Sequence, residues 1–445
     1  MTIARTICLG FLGAILLGTL LLMLPLSMAS GSWNDPLVAL FTSTSAVCVT
    51  GLSVVDTGTA FSTFGQCVIL FLIQIGGLGY MTLSTFLMLL IGRRFDLAQK
   101  FAIKESFDQP YNQGTRTLIR SIIATTLIGE LTGIFLLYIR FSQDFGAASG
   151  LWMSIFHSIS AWNNAGFSLF SDSLVGYHNS WIINLVIPAL VIFGGIGYEV
   201  IIEFYLWLQH RRKGKLRRFN FSLNFIVVTR TTLWLLGIGT IAFLFVEWNN
   251  LSTLAPMASF SDKAIAAWFQ SMTTRTAGFN SIDIGNMTTA GLFITMGLMF
   301  IGASPSGTGG GVKTTTMSIL ANCTLSVLRG HNTVTIHQRE ISQTIIFKAI
   351  AVVFGSATVI TLVTAIISVS NPNLELIDVL FEVISAFATV GLSTGITASL
   401  SGIGKIAIIG TMYCGRVGVL LLMSAILGEA TPQRISYPEE NLLVG

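Results

Sequence analysis

Charge is what this sequence has least of. Asp, Glu, Lys and Arg make up 10% of its 445 residues, while 52% are hydrophobic; soluble domains carry roughly 25% charge. A soluble globular domain of ordinary composition is therefore excluded. Cysteine is also scarce. Cys8, Cys48, Cys67, Cys323 and Cys414 show no metal-ligand spacing, and most lie in apolar stretches. They read as small buried hydrophobes, not as disulfides or a metal site. The chain has no paired catalytic carboxylates, no Ser/His dyad in a helical frame and no metal cluster, so an enzyme is not expected. No covalently bound cofactor and no nucleic-acid partner are expected either.

Long apolar runs are abundant. Residues 7–26, 68–91 and 345–370 each reach membrane-spanning length, which takes about 20 residues. The first run follows Arg5 but is longer than a leader's apolar core. No small-x-small cleavage pattern appears over 25–31, so a retained first helix is expected.

The basic residues fall in three stretches. One holds Arg93, Arg94, Lys100, Lys104, Arg116 and Arg120. A second holds Arg211, Arg212, Lys213, Lys215, Arg217, Arg218 and Arg230, with no acid among them, and a third holds Arg329, Arg339 and Lys348. The intervening connections are lightly acidic, with Asp35, Asp56, Asp144, Asp172, Asp283, Glu375 and Asp378. The positive-inside rule then makes the basic stretches and both termini cytoplasmic, which demands an even number of crossings. The 211–218 cluster leaves room for contact with lipid headgroups or a cytosolic partner.

Self-similarity organises the chain. Val49-Thr50-Gly51-Leu52-Ser53, Asn164-Ala165-Gly166-Phe167-Ser168, Thr276-Ala277-Gly278-Phe279-Asn280 and Thr389-Val390-Gly391-Leu392-Ser393 share one pattern, with glycines 115, 112 and 113 residues apart. Each follows a short apolar stretch, over 38–47, 151–163, 264–274 and 376–388. The first, second and fourth share Phe41, Phe156 and Phe381 and a Ser-Ala pair; in the third, Phe269 is displaced by one. Such stretches are too short to cross a bilayer but suit re-entrant helices.

The expected fold is an all-α membrane protein of four tandem helix–pore helix–helix repeats around a pseudo-fourfold pore, with eight transmembrane helices. Its boundaries are 1–92, 93–210, 211–330 and 331–430, with a cytoplasmic tail over 431–445. A second echo lies in each last helix, at Gly76-Gly77-Leu78-Gly79, Gly194-Gly195-Ile196-Gly197, Gly310-Gly311-Val312-Lys313 and Gly415-Arg416-Val417-Gly418. Small residues there let helices approach closely.

Irregular backbone at membrane depth survives only where protein covers it or it lines a watery path. Four equivalent loops would present rings of carbonyl oxygens that can replace the hydration shell of a potassium ion. The candidate filter is Val49, Thr50, Gly51, Leu52; Asn164, Ala165, Gly166, Phe167; Thr276, Ala277, Gly278, Phe279; and Thr389, Val390, Gly391, Leu392. Glycine fits because it readily takes positive φ and leaves room for an ion, and pore-helix C-termini favour a cation. Asp56, Asp172 and Asp283 follow the glycines by five or six residues. They either gather cations at the outer mouth or cap local structure.

These loops, the repeat and the length resemble the superfamily of Trk, Ktr and plant HKT potassium transporters, and within it the KtrB-type membrane subunits of bacterial Ktr systems. The resemblance covers nearly the whole chain. It implies potassium uptake across a bacterial cytoplasmic membrane, one central pore per monomer, homodimers, and a cytosolic KtrA-type nucleotide-binding ring docked beneath. It also implies uptake that depends on sodium. Sodium-selective HKT members carry Ser at the first filter glycine, so Gly51 points to potassium.

In the third unit the last helix is interrupted by Gly302-Ala303-Ser304-Pro305-Ser306-Gly307-Thr308-Gly309-Gly310-Gly311, a composition that no ordinary helix tolerates, where the other units are expected to keep theirs intact. Apolar flanks argue against a surface loop. Val312 before Lys313-Thr314, with no preceding strand, argues against a phosphate loop. An intramembrane gate below the filter is the expectation, and the resemblance supports it. Arg416 lies mid-helix, where facing lipid costs roughly 2.5 kcal/mol or more. It is expected to face the pore, as an electrostatic barrier or as a partner for carbonyls of the 302–311 loop, with Lys313 cooperating. Glu130 has no partner nameable from sequence. His157 and Glu382, at matching sites in two pore helices, suit packing or hydrogen bonding better than ion coordination, and Arg275 suits a scaffold pairing. The alternative function is an alternating-access secondary cation transporter. Such folds use inverted repeats, whereas here every unit has the same orientation.

Overall fold

The first pore helix is short because its start and stop are written locally. In the first repeat Asp35 accepts from the Leu37 N–H at 2.7 Å and Pro36 opens the helix. The helix ends when Val49 turns left-handed. The computed structural model describes residues 3–79, 115–213, 219–257 and 259–428. Arg93, Arg94, Lys100, Lys104, Lys215, Arg217, Arg218, Arg434, the 92/93 boundary and the 431–445 tail lie outside these residues.

Repeat one comprises α1 (Ile3–Met23), pore helix α2 (Pro36–Cys48) and α3 (Thr63–Leu78). In repeat two the first helix and the pore helix form one run, α4 (Thr115–Trp162), turned at Gly146, where φ is 77°. After it come α5 (Trp181–Gly195) and α6 (Tyr198–Arg212). Repeat three has α7 (Leu223–Val246), pore helix α8 (Phe260–Thr273), α9 (Thr289–Phe300) and α10 (Thr314–Leu328). A small hairpin, β1 (Thr335–Ile336) with β2 (Arg339–Glu340), leads to repeat four: α11 (Gln343–Ser370), pore helix α12 (Leu376–Ala388), α13 (Gly402–Val417) and α14 (Val419–Leu427). Among the described residues, the helices long and apolar enough to span a membrane unbroken are the first helices of the four repeats. The chain is thus an all-α membrane protein of helix–pore helix–helix repeats.

One device recurs where α3, α9 and α13 begin. Ser62, Thr288 and Ser401 each cap the helix by accepting from a glycine N–H three residues on, at 3.2, 3.0 and 3.2 Å. A capping hydroxyl contributes about 1 kcal/mol. Phe41, Phe156, Phe269 and Phe381 are all fully buried. The one-residue displacement in repeat three is real: Thr273 Oγ1 donates to the Phe279 carbonyl six residues on, where Ser160 Oγ donates to Phe167 seven residues on, at 2.8 Å. The ring of repeats closes between first and last. Tyr413 on α13 donates to the Cys8 carbonyl at 2.8 Å, and Arg5 Nε to that of Ala425 at 2.8 Å.

The expectation that only the third unit breaks its last helix is corrected. α5 and α6 meet at 102°, and α13 and α14 at 95°. The cause is the final glycine of the second echo: Gly197 and Gly418 have φ of 96° and 90° with ψ of 138°, a conformation in which a Cβ-bearing residue is strained. Gly79 takes the same conformation where α3 ends. The first echo glycines do permit close approach. A Cβ on Gly76, Gly194 or Gly415 would strike the carbonyl of Val47, Trp162 or Phe387, the equivalent pore-helix residues.

Candidate functional site

The four loops converge. Residues two before each glycine, Val49, Asn164, Thr276 and Thr389, all have positive φ, between 52° and 68°, and Gly51, Gly166, Gly278 and Gly391 follow with φ of 91°, 68°, 76° and 90°. A side chain on Gly51 would meet the Ala165 carbonyl of the next repeat. One on Gly166 would meet that of Ala277, one on Gly278 that of Val390, and one on Gly391 that of Thr50. The circuit runs through repeats one, two, three and four and returns to one, placing the carbonyls of Thr50, Ala165, Ala277 and Val390 in one layer. Neighbouring backbones leave no room for a Cβ, which is why all four positions are glycine.

Pore-helix hydroxyls hold these loops in two ways. Ser45 and Ser385 accept from the N–H of Gly51 and Gly391 at 3.0 and 3.1 Å. Ser160 and Thr273 instead donate to the carbonyls of Phe167 and Phe279. His157 and Glu382, nine residues before their glycines, brace the outer ends. His157 Nε2 lies 3.0 Å from Ser168 Oγ, and Glu382 accepts from Ser393 Oγ and, at 2.9 Å, from Thr397 Oγ1. Both have the hydrogen-bonding role expected of them.

Outside the ring is a vestibule of about 420 Å³ lined by the four glycines and by Asp56, Asp172 and Asp283. All three carboxylates also cap backbone: Asp56 accepts from Gly58 and Thr59 N–H, Asp172 from Gly176 and Asp283 from Gly285. Burial alone would raise the Asp56 pKa, but hydrogen bonds from Ser171, Thr59 and Gly58 outweigh it and hold the carboxyl below its ordinary value.

Inside the ring the 301–313 segment crosses from α9 to α10. Gly302 N–H bonds the Val312 carbonyl at 2.9 Å, closing the neck of the loop. Ser304 and Thr308 donate their N–H to the carbonyls of Gly195 and Gly194 at 3.1 and 3.2 Å, and Tyr198 N–H donates to Ser306. The break between α5 and α6 is thus the loop's seat. Gly310 N–H donates to Thr389 Oγ1 at 2.9 Å, so the loop hangs directly from the fourth filter-like segment. Lys313 Nζ donates to the Gly309 carbonyl at 2.8 Å. Pro305, Gly307 and Gly311 complete the span, with Gly307 packed on the Gly195 carbonyl. Arg416 donates to the Thr308 carbonyl and to that of Gly76 at the end of α3. It therefore ties the third repeat's loop to the first repeat.

Glu130 gains a partner that sequence could not name: Asn163 Nδ2 donates to it at 3.2 Å and to Gln74 at 3.0 Å. The Arg275 expectation is corrected. Among the described residues no carboxylate pairs with it; it lines a small, largely apolar pocket with Ile196, Leu236 and Met272. Sequence reasoning also missed Thr389 and the Gly194 and Gly195 carbonyls as anchors. No sequence signal sets Thr389 apart from Thr276, which occupies the equivalent position and accepts from Asn164 instead.

A family model described as the TrkH cation transport protein matches residues 10–431. The chain belongs to the TrkH family. It is 38% identical over 443 residues to Ktr system potassium uptake protein B of Bacillus subtilis (strain 168), covering 99% of this chain and 96% of that one. To the protein of the same name from Vibrio alginolyticus it is 39% identical, covering 99% and 94%. The crystal structure of the potassium transporter TrkH from Vibrio parahaemolyticus matches with a TM-score of 0.70 at 19% identity, over 95% of this chain and 85% of that one. That likeness is one of fold.

Proposed function

We propose that this TrkH-family protein takes up potassium through the ring formed by Gly51, Gly166, Gly278 and Gly391. The carrying observation is the closed circuit in which each glycine faces the carbonyl of the neighbouring repeat. Such a layer can exchange with water around an alkali cation while passing it along the axis. Residues 49–52, 164–167, 276–279 and 389–392 form the filter. The 302–311 loop, with Lys313 and Arg416, closes the path beneath. The names of the Ktr relatives speak of a system, which supports a membrane subunit that works with a regulatory partner. A homodimer over a cytosolic nucleotide-binding ring, with sodium-dependent uptake and cytoplasmic termini, completes the reading.

The test is growth of a potassium-uptake-deficient cell on low potassium, expressing this chain with the ring protein, as wild type and as Gly51→Ser. Rescue by the wild type with weakened preference for potassium over sodium in the variant supports the filter. Undiminished potassium preference in a well-expressed Gly51→Ser protein moves selectivity elsewhere and favours alternating access.

A further inference from the structure

Arg275 directly precedes the third filter segment, is 9% exposed, and has no hydrogen-bond partner at Nε or Nη1 among the described residues. A guanidinium withdrawn from water without a counter-charge is costly even after relaxation. The pocket that Arg275 lines has a volume of about 20 Å³, enough for one water-sized occupant. It lies between the third pore helix, the break of the second repeat at Gly195 and Ile196, and Ala303 at the start of the intramembrane loop.

The polar atoms of this pocket have a definite chemistry. Besides Arg275, its polar side chain is Thr232, whose Oγ1 is also buried and unpartnered. Guanidinium N–H groups donate and never accept, and a threonine hydroxyl can turn to donate. The Gly195 carbonyl is already engaged by the Ser304 N–H, and that of Ile192 by the Ile196 N–H. The remaining walls are apolar: Val191, Leu236, Met272 and Ala303. A water molecule could accept from the guanidinium and donate to Thr232 Oγ1 or to a carbonyl's second lone pair, but it would leave the charge of Arg275 unneutralised. A bare monovalent anion needs only donors, and a low-dielectric wall strengthens its attraction to the guanidinium.

We propose that this pocket binds one halide-sized anion, chloride in the cell, as the counter-ion of Arg275. The anion neutralises a cation that has no counter-charge among the described residues, and it packs the third filter segment against the loop's first residues. The proposal does not depend on which cation passes through the ring.

The full-length protein, purified in detergent with chloride replaced by gluconate, is titrated with chloride and bromide while its thermal unfolding midpoint is followed. A saturable rise is expected with both halides and none with added gluconate. Thr232→Val should weaken the halide response and Arg275→Gln abolish it. Crystals grown in bromide should show an anomalous peak beside Arg275 and Thr232. Because Arg275→Gln can fail to fold, the wild-type titration and the bromide peak carry the decision. No halide-specific stabilisation, or a pocket holding water in bromide crystals, overturns the proposal. A peak without saturable stabilisation is an adventitious ion only and overturns it equally.

Discussion

The two halves of the axial path obey different symmetries. At the ring, all four repeats contribute the same backbone, with one left-handed residue two before each glycine and one carbonyl per neighbour. Below the ring the repeats part company: two turn through about a right angle, while the third sends a loop through the middle. In the function proposed above, the difference follows from what each half would do. An ion stripped of water needs ligands on every side, which four equal loops would supply, whereas a barrier needs only one element. A small asymmetry survives even in the ring. Repeats one and four use a hydroxyl to hold a glycine N–H, whereas repeats two and three use it to hold the carbonyl of a phenylalanine.

The largest effect is expected from breaking the ring. Gly391→Ala places a methyl against the Thr50 carbonyl at a φ of 90°, where L-residues are strained by roughly 1–2 kcal/mol before any clash. Potassium-over-sodium selectivity in proteoliposome flux should fall at least about tenfold, the equivalent of 1.4 kcal/mol. Alanine at Gly51, Gly166 or Gly278 should do comparable damage. If one position alone mattered, the fourfold half of the comparison would fail.

Arg416→Gln addresses the other half. It removes the charge that reaches from α13 to both the Thr308 and Gly76 carbonyls. Flux should rise and lose its dependence on the regulatory partner, with selectivity preserved. A loss of selectivity at unchanged flux would instead assign Arg416 to the filter. Thr389→Val is the milder version, since it deletes only the acceptor for Gly310 N–H. A hydrogen bond of this kind contributes about 1 kcal/mol, so the rise should be about fivefold or less. The turn itself should survive, because the equivalent residue, Val49, is already valine at a φ of 57°.

The symmetric half was also the legible one. Four matching pentapeptides at near-constant spacing mark backbone requirements, and backbone requirements write themselves into sequence as glycine. The one-residue displacement of Phe269 recurs in the structure as the shifted hydroxyl clasp at Thr273. The lower half was legible only in part. Gly302 to Gly311 announced a break, but Gly197 and Gly418 make breaks too, and a single glycine inside an apolar run looks like ordinary helix packing. The partners of Glu130 were hidden for another reason, as was the Gly76 carbonyl that Arg416 also reaches; its expected pairing with a carbonyl of the 302–311 loop is met at Thr308. Asn163, Gln74 and Gly76 lie far away in the chain, and no local pattern encodes a meeting of side chains across repeats. The scaffold pairing expected of Arg275 has no protein partner at Nε or Nη1 among the described residues.

The smallest expected effect is at the outer mouth, where Asp56 stands at the rim of the symmetric half yet belongs to one repeat only. Burial pushes its pKa up, but hydrogen bonds from Ser171, Thr59 and Gly58 win and leave it lowered. A carboxyl whose folded pKa lies below its unfolded value stabilises the fold above the unfolded value. It loses that contribution as pH falls through the folded one. The Thr57–Ala60 turn that it caps should therefore loosen in acid. Asp56→Asn should lower the thermal midpoint slightly at neutral pH, with the gap to wild type closing as pH drops below the ordinary carboxylate range. Because the group is largely solvated, screening keeps the difference small. A gap that stays constant with pH would mean the cap is held by geometry alone. A fall in potassium uptake at neutral pH, with no change in midpoint, would give Asp56 a cation-gathering role over and above its cap.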